Sequence, residues 1–257
     1  MILLFDIGNT HTHIGLADRG RVRRHMDLPT QEWATPAAER RVIRFVGSAR
    51  VEGASVCSVV PRCTKSVLLA VRRSWKVVPR VLTSRTLHGV GIRYPKPETI
   101  GPDRLSNALA VRVLYGAPAL VVDFGTAVTF DVVDRTGHYI GGIIAPGLAA
   151  MTDYLHEKTA LLPKIRIRDV QAIVGKNTEQ AMLIGAVHGY RGLVKELIAE
   201  LKRDLKVRSL PVVATGGYAA LMARGVREIS AVNPLLTLEG LRLFWSQTPP
   251  GTVWLSS

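Results

Sequence analysis

The chain is poor in cysteine, in aromatic residues and in acidic residues to balance its basic ones. Only Cys57 and Cys63 stand in 257 residues. Their spacing fits no familiar zinc pattern, and two thiols make no disulfide framework, so the expectation is a reduced cytoplasmic chain with incidental thiols. No apolar run reaches the length of a membrane span, which argues against a membrane protein. The opening Met1-Ile2-Leu3-Leu4-Phe5 is hydrophobic, but Asp6 interrupts it at once and no basic region precedes it. A signal peptide is therefore not expected. The loop G-x-x-x-x-G-K-[ST], which cradles triphosphates in many proteins, is absent. Low complexity and short solenoid periods are absent too.

The basic excess is large: 34 Lys and Arg against 20 Asp and Glu, a net charge of +14, with 25 of the 34 being arginine. Such a surface attracts anions. The arginines are scattered, however, in short clusters at Arg19, Arg21, Arg23 and Arg24, at Arg40, Arg41 and Arg44, and at Arg72 and Arg73. Aromatics make up 6% and no nucleic-acid module signature is present. This pattern favours a generally basic surface over a dedicated nucleic-acid site.

What the chain does have is a pair of matching segments. Leu3-Leu4-Phe5-Asp6-Ile7-Gly8-Asn9-Thr10 and Leu120-Val121-Val122-Asp123-Phe124-Gly125-Thr126-Ala127 share one plan. An apolar run meets Asp-x-Gly, then small polar residues, then an alternating run. That plan reads as a strand, a tight turn and a return strand. One copy opens each half, which suggests two related domains, 1–116 and 117–257, facing a shared cleft. At 47% hydrophobic and 21% charged the chain can build a core in each.

Strand and helix signals alternate in both halves, so the expected class is α/β. In the first half, helical spacing covers 36–50 and 64–74, strands are expected at 54–60 and 77–82, and 89–99 reads as loop. Gly101-Pro102-Asp103-Arg104 opens a strong helix that runs to Tyr115, with proline and an acid where a first turn favours them. In the second half, a glycine-rich segment from Gly141 enters a helix at about Leu148. Residues 178–205 read as one long helix, 212–217 as a strand with a small-residue turn, and 234–245 as a final helix.

The turns at 6–10, 123–127 and 215–217 suit phosphate. Glycine lets backbone N–H groups approach oxygen atoms, and Thr10 and Thr126 add hydroxyls. Asp6 suits Mg²⁺, directly or through water. Asp103 and Arg104 suit a general base beside an anion anchor, or simply a helix start with a solvated neighbour. His11 and His13 point the same way on a strand; with no third ligand nearby they read as a polar strand face rather than a metal site.

These pieces together resemble the type III pantothenate kinases of the sugar kinase, Hsp70 and actin superfamily. The matching elements are Asp6-Ile7-Gly8-Asn9-Thr10, Ser58-Val59-Val60-Pro61, Gly101-Pro102-Asp103-Arg104, Asp123-Phe124-Gly125-Thr126-Ala127-Val128-Thr129, Gly141-Gly142-Ile143-Ile144-Ala145-Pro146-Gly147, Thr159-Ala160-Leu161-Leu162-Pro163, Asn177-Thr178 and Thr215-Gly216-Gly217. They cover nearly the whole chain in order. The resemblance implies two ribonuclease H-like, actin-like ATPase domains from an internal duplication. It implies ATP-dependent conversion of pantothenate to its phosphate ester, the first step towards coenzyme A, in the cytoplasm. It further implies Asp103 as general base, and ATP contacts at Asp6, Ile7, Gly8, Asn9, Thr10, His11, Thr12, His13 and Thr126. Substrate contacts would be Tyr94, Gly101, Pro102, Asp103, Arg104 and Thr178. Asp123 would hold a monovalent cation, potassium or ammonium, and a homodimer is implied. Two rivals are another small-molecule, sugar-type kinase of the superfamily and a non-catalytic regulator that keeps the fold.

Overall fold

A computed structural model describes residues 1–247. The chain forms two compact units. Of the described residues, the first holds Met1–Gly116, Gly137–Ile140 and 235–247; the second holds Ala117–Thr136 and Gly141–Pro234. The sequence division into 1–116 and 117–257 differs from these units at Gly137–Ile140 and from Leu235 on. Residues 248–257 lie outside the described residues.

In the first unit β1 (Ile2–Ile7) pairs antiparallel with β2 (His11–Ala17), which pairs antiparallel with β3 (Val22–Pro29). After α1 (Pro36–Val46), β4 (Gly53–Ser58) returns parallel to β1. After α2 (Pro61–Trp75), the short β5 (Arg80–Val81) lies parallel to β4, giving the order β3-β2-β1-β4-β5. The strand period sorts the side chains. Leu3, Phe5 and Ile7 share a face with Ala54 and Val56 and are fully buried with Val42 and Val46 of α1 and Val67 and Val71 of α2.

Local chemistry sets the boundaries. Thr35 caps α1 by accepting from the Ala37 N–H at 3.3 Å, with Pro36 in the first turn. Pro61 starts α2 earlier than the periodicity of 64–74 indicates, and Ser58 Oγ accepts from the Val60 N–H at 3.0 Å and from the Thr64 hydroxyl at 2.7 Å just before it. The strand expected at 77–82 shrinks to two residues because Pro79 has no N–H for a ladder.

The stretch read as loop, 89–99, carries a two-residue strand, β6 (Gly91–Ile92). It leads to α3 (Pro102–Tyr115), in which Leu105 to Val111 are all buried. A helix buried on every side needs a second helix across it. The last described helix, α8 (Leu236–Gln247), meets that need, packing on α3, β1 and β4. Gly240 makes the crossing close: a Cβ there would fall 2.1 Å from the Ser106 carbonyl oxygen. This packing is why the chain from Leu235 belongs to the first unit.

The second unit repeats the plan. β7 (Ala119–Phe124) pairs antiparallel with β8 (Ala127–Val133), and β9 (His138–Pro146) follows. β10 (Val212–Thr215) lies parallel to β7, and β11 (Ala231–Val232) parallel to β10. Within the first unit, His138 and Tyr139 at the start of β9 pair with β6. The helices of the second unit are α4 (Leu148–Lys158), α5 (Thr178–Ile184), α6 (Tyr190–Asp204) and α7 (Ala219–Ala223). The run expected as one helix over 178–205 is α5 and α6 joined through a π turn at Gly185–Gly189. Met182, Leu183 and Val187 along this run bury against Ile165 and Val170. No helix among the described residues is long and apolar enough to cross a membrane.

Candidate active site

In the first unit the turn between β1 and β2 is held from below. Gly8 N–H donates to the His11 carbonyl at 3.0 Å, and the Thr30 hydroxyl donates to the Gly8 carbonyl at 2.7 Å. Thr30 also lies 3.1 Å, hydroxyl to hydroxyl, from Thr12. Thr12 and Ile7 are fully buried, so they support the turn, while Asn9, Thr10, His11 and His13 are exposed. The rings of His11 and His13 lie 6.3 Å apart on one side of β2. His13 Nδ1 is 2.7 Å from Asp27 Oδ1 on β3. No cluster of three metal-ligating side chains is found among the described residues.

Strand register draws a polar row across this sheet. Cys57 stands opposite Asp6, Asp6 opposite His13, and His13 opposite Asp27. Directly paired residues share a face, so these side chains line up near the ends of β1 and β4. The Cys57 thiol donates to Asp6 Oδ1 at 3.3 Å. Burial and the nearby charges of Asp6 and Asp103 push this thiol far above its ordinary range, so it keeps its proton. Sequence reading passed over Cys57 as incidental. The signal was its place four residues before Pro61, at the end of an apolar strand, but only the pairing with β1 reveals its neighbour.

Asp103 sits in the first turn of α3. The residue keeps partial exposure, yet its Oδ1 is buried and has no hydrogen-bond partner. A Cβ on residue 101 would fall 2.4 Å from that oxygen, so the glycine of Gly101-Pro102-Asp103-Arg104 makes the room it occupies. Burial raises the Asp103 carboxyl above the ordinary aspartate value; the Arg104 N–H and guanidinium oppose this. A carboxylate so placed is a stronger base than a solvated one. Arg104 lies over the Tyr139 ring at 5.9 Å, and the Tyr94 ring is 6.3 Å from the same ring. Tyr94, 39% exposed, Gly101, Pro102, Asp103 and Arg104 therefore form one neighbourhood, with Tyr139 an unforeseen member.

In the second unit, Asp123 ends β7 opposite Thr129. Seven positions separate Asp6 from its cross-strand partner His13, and six separate Asp123 from Thr129, so the second turn is one residue shorter. Gly125 N–H donates to the Ala127 carbonyl at 3.1 Å, and Gly147 N–H to the Thr126 carbonyl at 3.2 Å. Thr126 itself is exposed. Gly216 has φ of +85°, and a Cβ there would fall 2.5 Å from Asp123 Oδ1. The Thr215-Gly216-Gly217 turn thus presents bare backbone to this carboxylate. Thr178 is exposed in the first turn of α5, which Asn177 caps by accepting from the Gln180 N–H at 2.8 Å.

Residues 2–200 match the sequence profile of the type III pantothenate kinase family. Proteins described as type III pantothenate kinases resemble the chain over most of its length. One from Akkermansia muciniphila is 47% identical over 94% of this chain and 96% of its own. One from Methylacidiphilum infernorum is 42% identical over 94% of this chain and 87% of its own. Among solved structures, a Sinorhizobium meliloti protein provisionally classed as a 2-dehydro-3-deoxygalactonokinase superposes with a TM-score of 0.62 at 14% identity, covering 99% of both chains. An inorganic polyphosphate/ATP-glucomannokinase from Arthrobacter sp. strain KM gives 0.50 at 13% identity, covering 96% of this chain and 97% of its own. These structural likenesses bear on the fold, which they place with the two-domain α/β sugar kinases.

Proposed function

The chain belongs to the type III pantothenate kinase family, and from that premise we propose how its residues carry out ATP-dependent phosphorylation of pantothenate, the first step towards coenzyme A. It is a kinase with an alcohol acceptor. The observation that carries the residue assignment is the buried, unpartnered Oδ1 of Asp103 at the start of α3.

Asp103 is the general base. It accepts the proton of the primary hydroxyl of pantothenate as the new oxygen–phosphorus bond forms and the bond from the γ-phosphorus to ADP breaks. Phosphoryl-transfer transition states are usually loose, so the proton moves late and Asp103 chiefly orients the hydroxyl. Arg104 meets the pantothenate carboxylate with its planar fork, and Tyr94 with Gly101 and Pro102 flanks the substrate. Thr178 of the second unit is a further substrate contact.

ATP is the phosphoryl donor. The turn 6–13, braced by Thr30, offers phosphates its backbone, with Asn9, Thr10, His11 and His13 as exposed side chains. Thr126 does the same in the second unit. The oxygen donors at Asp6 and Asp123 fit hard cations, and Gly216 sets its backbone, without a side chain, against Asp123 Oδ1. Mg²⁺ would be held by Asp6, directly or through water, and potassium or ammonium by Asp123; when bound they neutralise charge on phosphate oxygens.

A homodimer and a cytoplasmic location complete the reading. An apolar groove of about 760 Å³ on the second unit, with Met151, Tyr154, Leu155 and Met182 on its walls, supports an interface with a second copy. The test is an assay with pantothenate, ATP, Mg²⁺ and potassium, repeated with Asp103→Asn. Turnover is expected to fall about 100-fold or more in the variant. Nearly unchanged turnover removes Asp103 from the role, and turnover only with a sugar moves the chain to another kinase class.

A further inference from the structure

Resting on the kinase reading above, we infer that Cys57 is a positioning residue, whose thiol fixes the orientation of the Asp6 carboxylate. Cys57 ends β4 directly opposite Asp6 in the parallel pairing and donates to Asp6 Oδ1 at 3.3 Å. It is fully buried, so neither solvent nor a substrate competes for its proton. Helix α3, which begins with Asp103 in its first turn, packs against β4.

One carboxylate, that of Asp6, thus meets one small neutral donor. A hydrogen bond from a neutral donor holds the carboxylate in one orientation. The group must also be small, because Asp6 and Cys57 are immediate neighbours on paired strands. A thiol and a hydroxyl both satisfy these demands; a methyl group does not. In this role the buried sulfur acts only through Asp6.

The experiment compares the full-length chain with Cys57→Ala and Cys57→Ser. Turnover of Cys57→Ala is expected to fall about 10-fold, the scale of one hydrogen bond to an ionised group, with KM for pantothenate nearly unchanged. Cys57→Ser is expected to restore most of it. A folded Cys57→Ala protein with full turnover, or a Cys57→Ser protein no better than Cys57→Ala, overturns the inference. A spectroscopic readout stands apart from activity and from the folding of those variants. In the Cys63→Ser protein Cys57 is the sole thiol, and its S–H stretch should lie low and shift upward when Asp6→Asn is added. A band that ignores Asp6→Asn also overturns the inference. Absence of pantothenate turnover in the unaltered chain would instead break the kinase reading, whereas normal turnover with a fully active Cys57→Ala would break this inference alone.

Discussion

Substituting Asp103 by asparagine is expected to lower turnover while raising stability, and the size of the second effect follows from the burial of one oxygen. Asp103 Oδ1 is buried without a partner. Asparagine keeps a polar atom there and removes only the charge; an unsatisfied buried polar atom costs about 1–3 kcal/mol, more when charged, so the gain is the charged excess alone. The Arg104 N–H and guanidinium offset part of the burial effect, which keeps that excess small, about 1 kcal/mol. For a chain of this size that corresponds to about 2–4 °C in the unfolding midpoint. The gain must depend on pH. Burial raises the folded-state value above the ordinary aspartate value of 3.8. Between the two values the folded chain holds the proton more tightly than the unfolded chain, so stability falls as pH rises through that window. Below it the carboxyl is neutral in both states and the penalty is gone. Calorimetry of both proteins from acid to neutral pH should show the curves for the transition of the first unit nearly together at acid pH and separated at neutral pH. A variant no more stable than the parent at neutral pH, or a gain of equal size at every pH, would refute the argument that burial raises this carboxyl.

The second unit has its own test in Gly216→Ala. The new methyl group meets Asp123 Oδ1 and the backbone sits at φ of +85°, so destabilisation of about 1–2 kcal/mol and loss of the monovalent-ion response are expected; an active, ion-responsive variant would contradict the placement. Thr30→Val removes the donor to the Gly8 carbonyl and the partner of Thr12, and should cost about 1–2 kcal/mol and raise KM for ATP. Denaturant titration and kinetics check both effects, and an unchanged KM would show that the turn needs no brace. Potassium should activate the enzyme more than sodium; indifference to the ion in steady-state assays would count against Asp123.

Some of this was readable before any coordinates. Asp6 and Asp123 announced themselves because a strand that ends in Asp-x-Gly is a local pattern, and local patterns survive without tertiary information. The start of α3 was equally legible, since proline and an acid in a first turn follow from backbone chemistry alone. The short β5 was overestimated because apolar β-branched residues outweighed Pro79 in the reading. The π turn at Gly185–Gly189 was invisible, because its side-chain period departs from an ordinary helix for only one turn. Tyr139 was missed since nothing near it in sequence marks it; it meets Tyr94 and Arg104 only through the pairing of β9 with β6.

Sequence by itself determined the alternation of strands and helices, the twin acidic turns and the identity of the family, all of which rest on short-range chemistry and residue order. Tertiary structure alone decided that Cys57 lies against Asp6, that one oxygen of Asp103 is buried without a partner, and that α8 closes over α3. The physical reason is that pairing register and burial arise from segments far apart in the chain, and no spacing within a single segment encodes them.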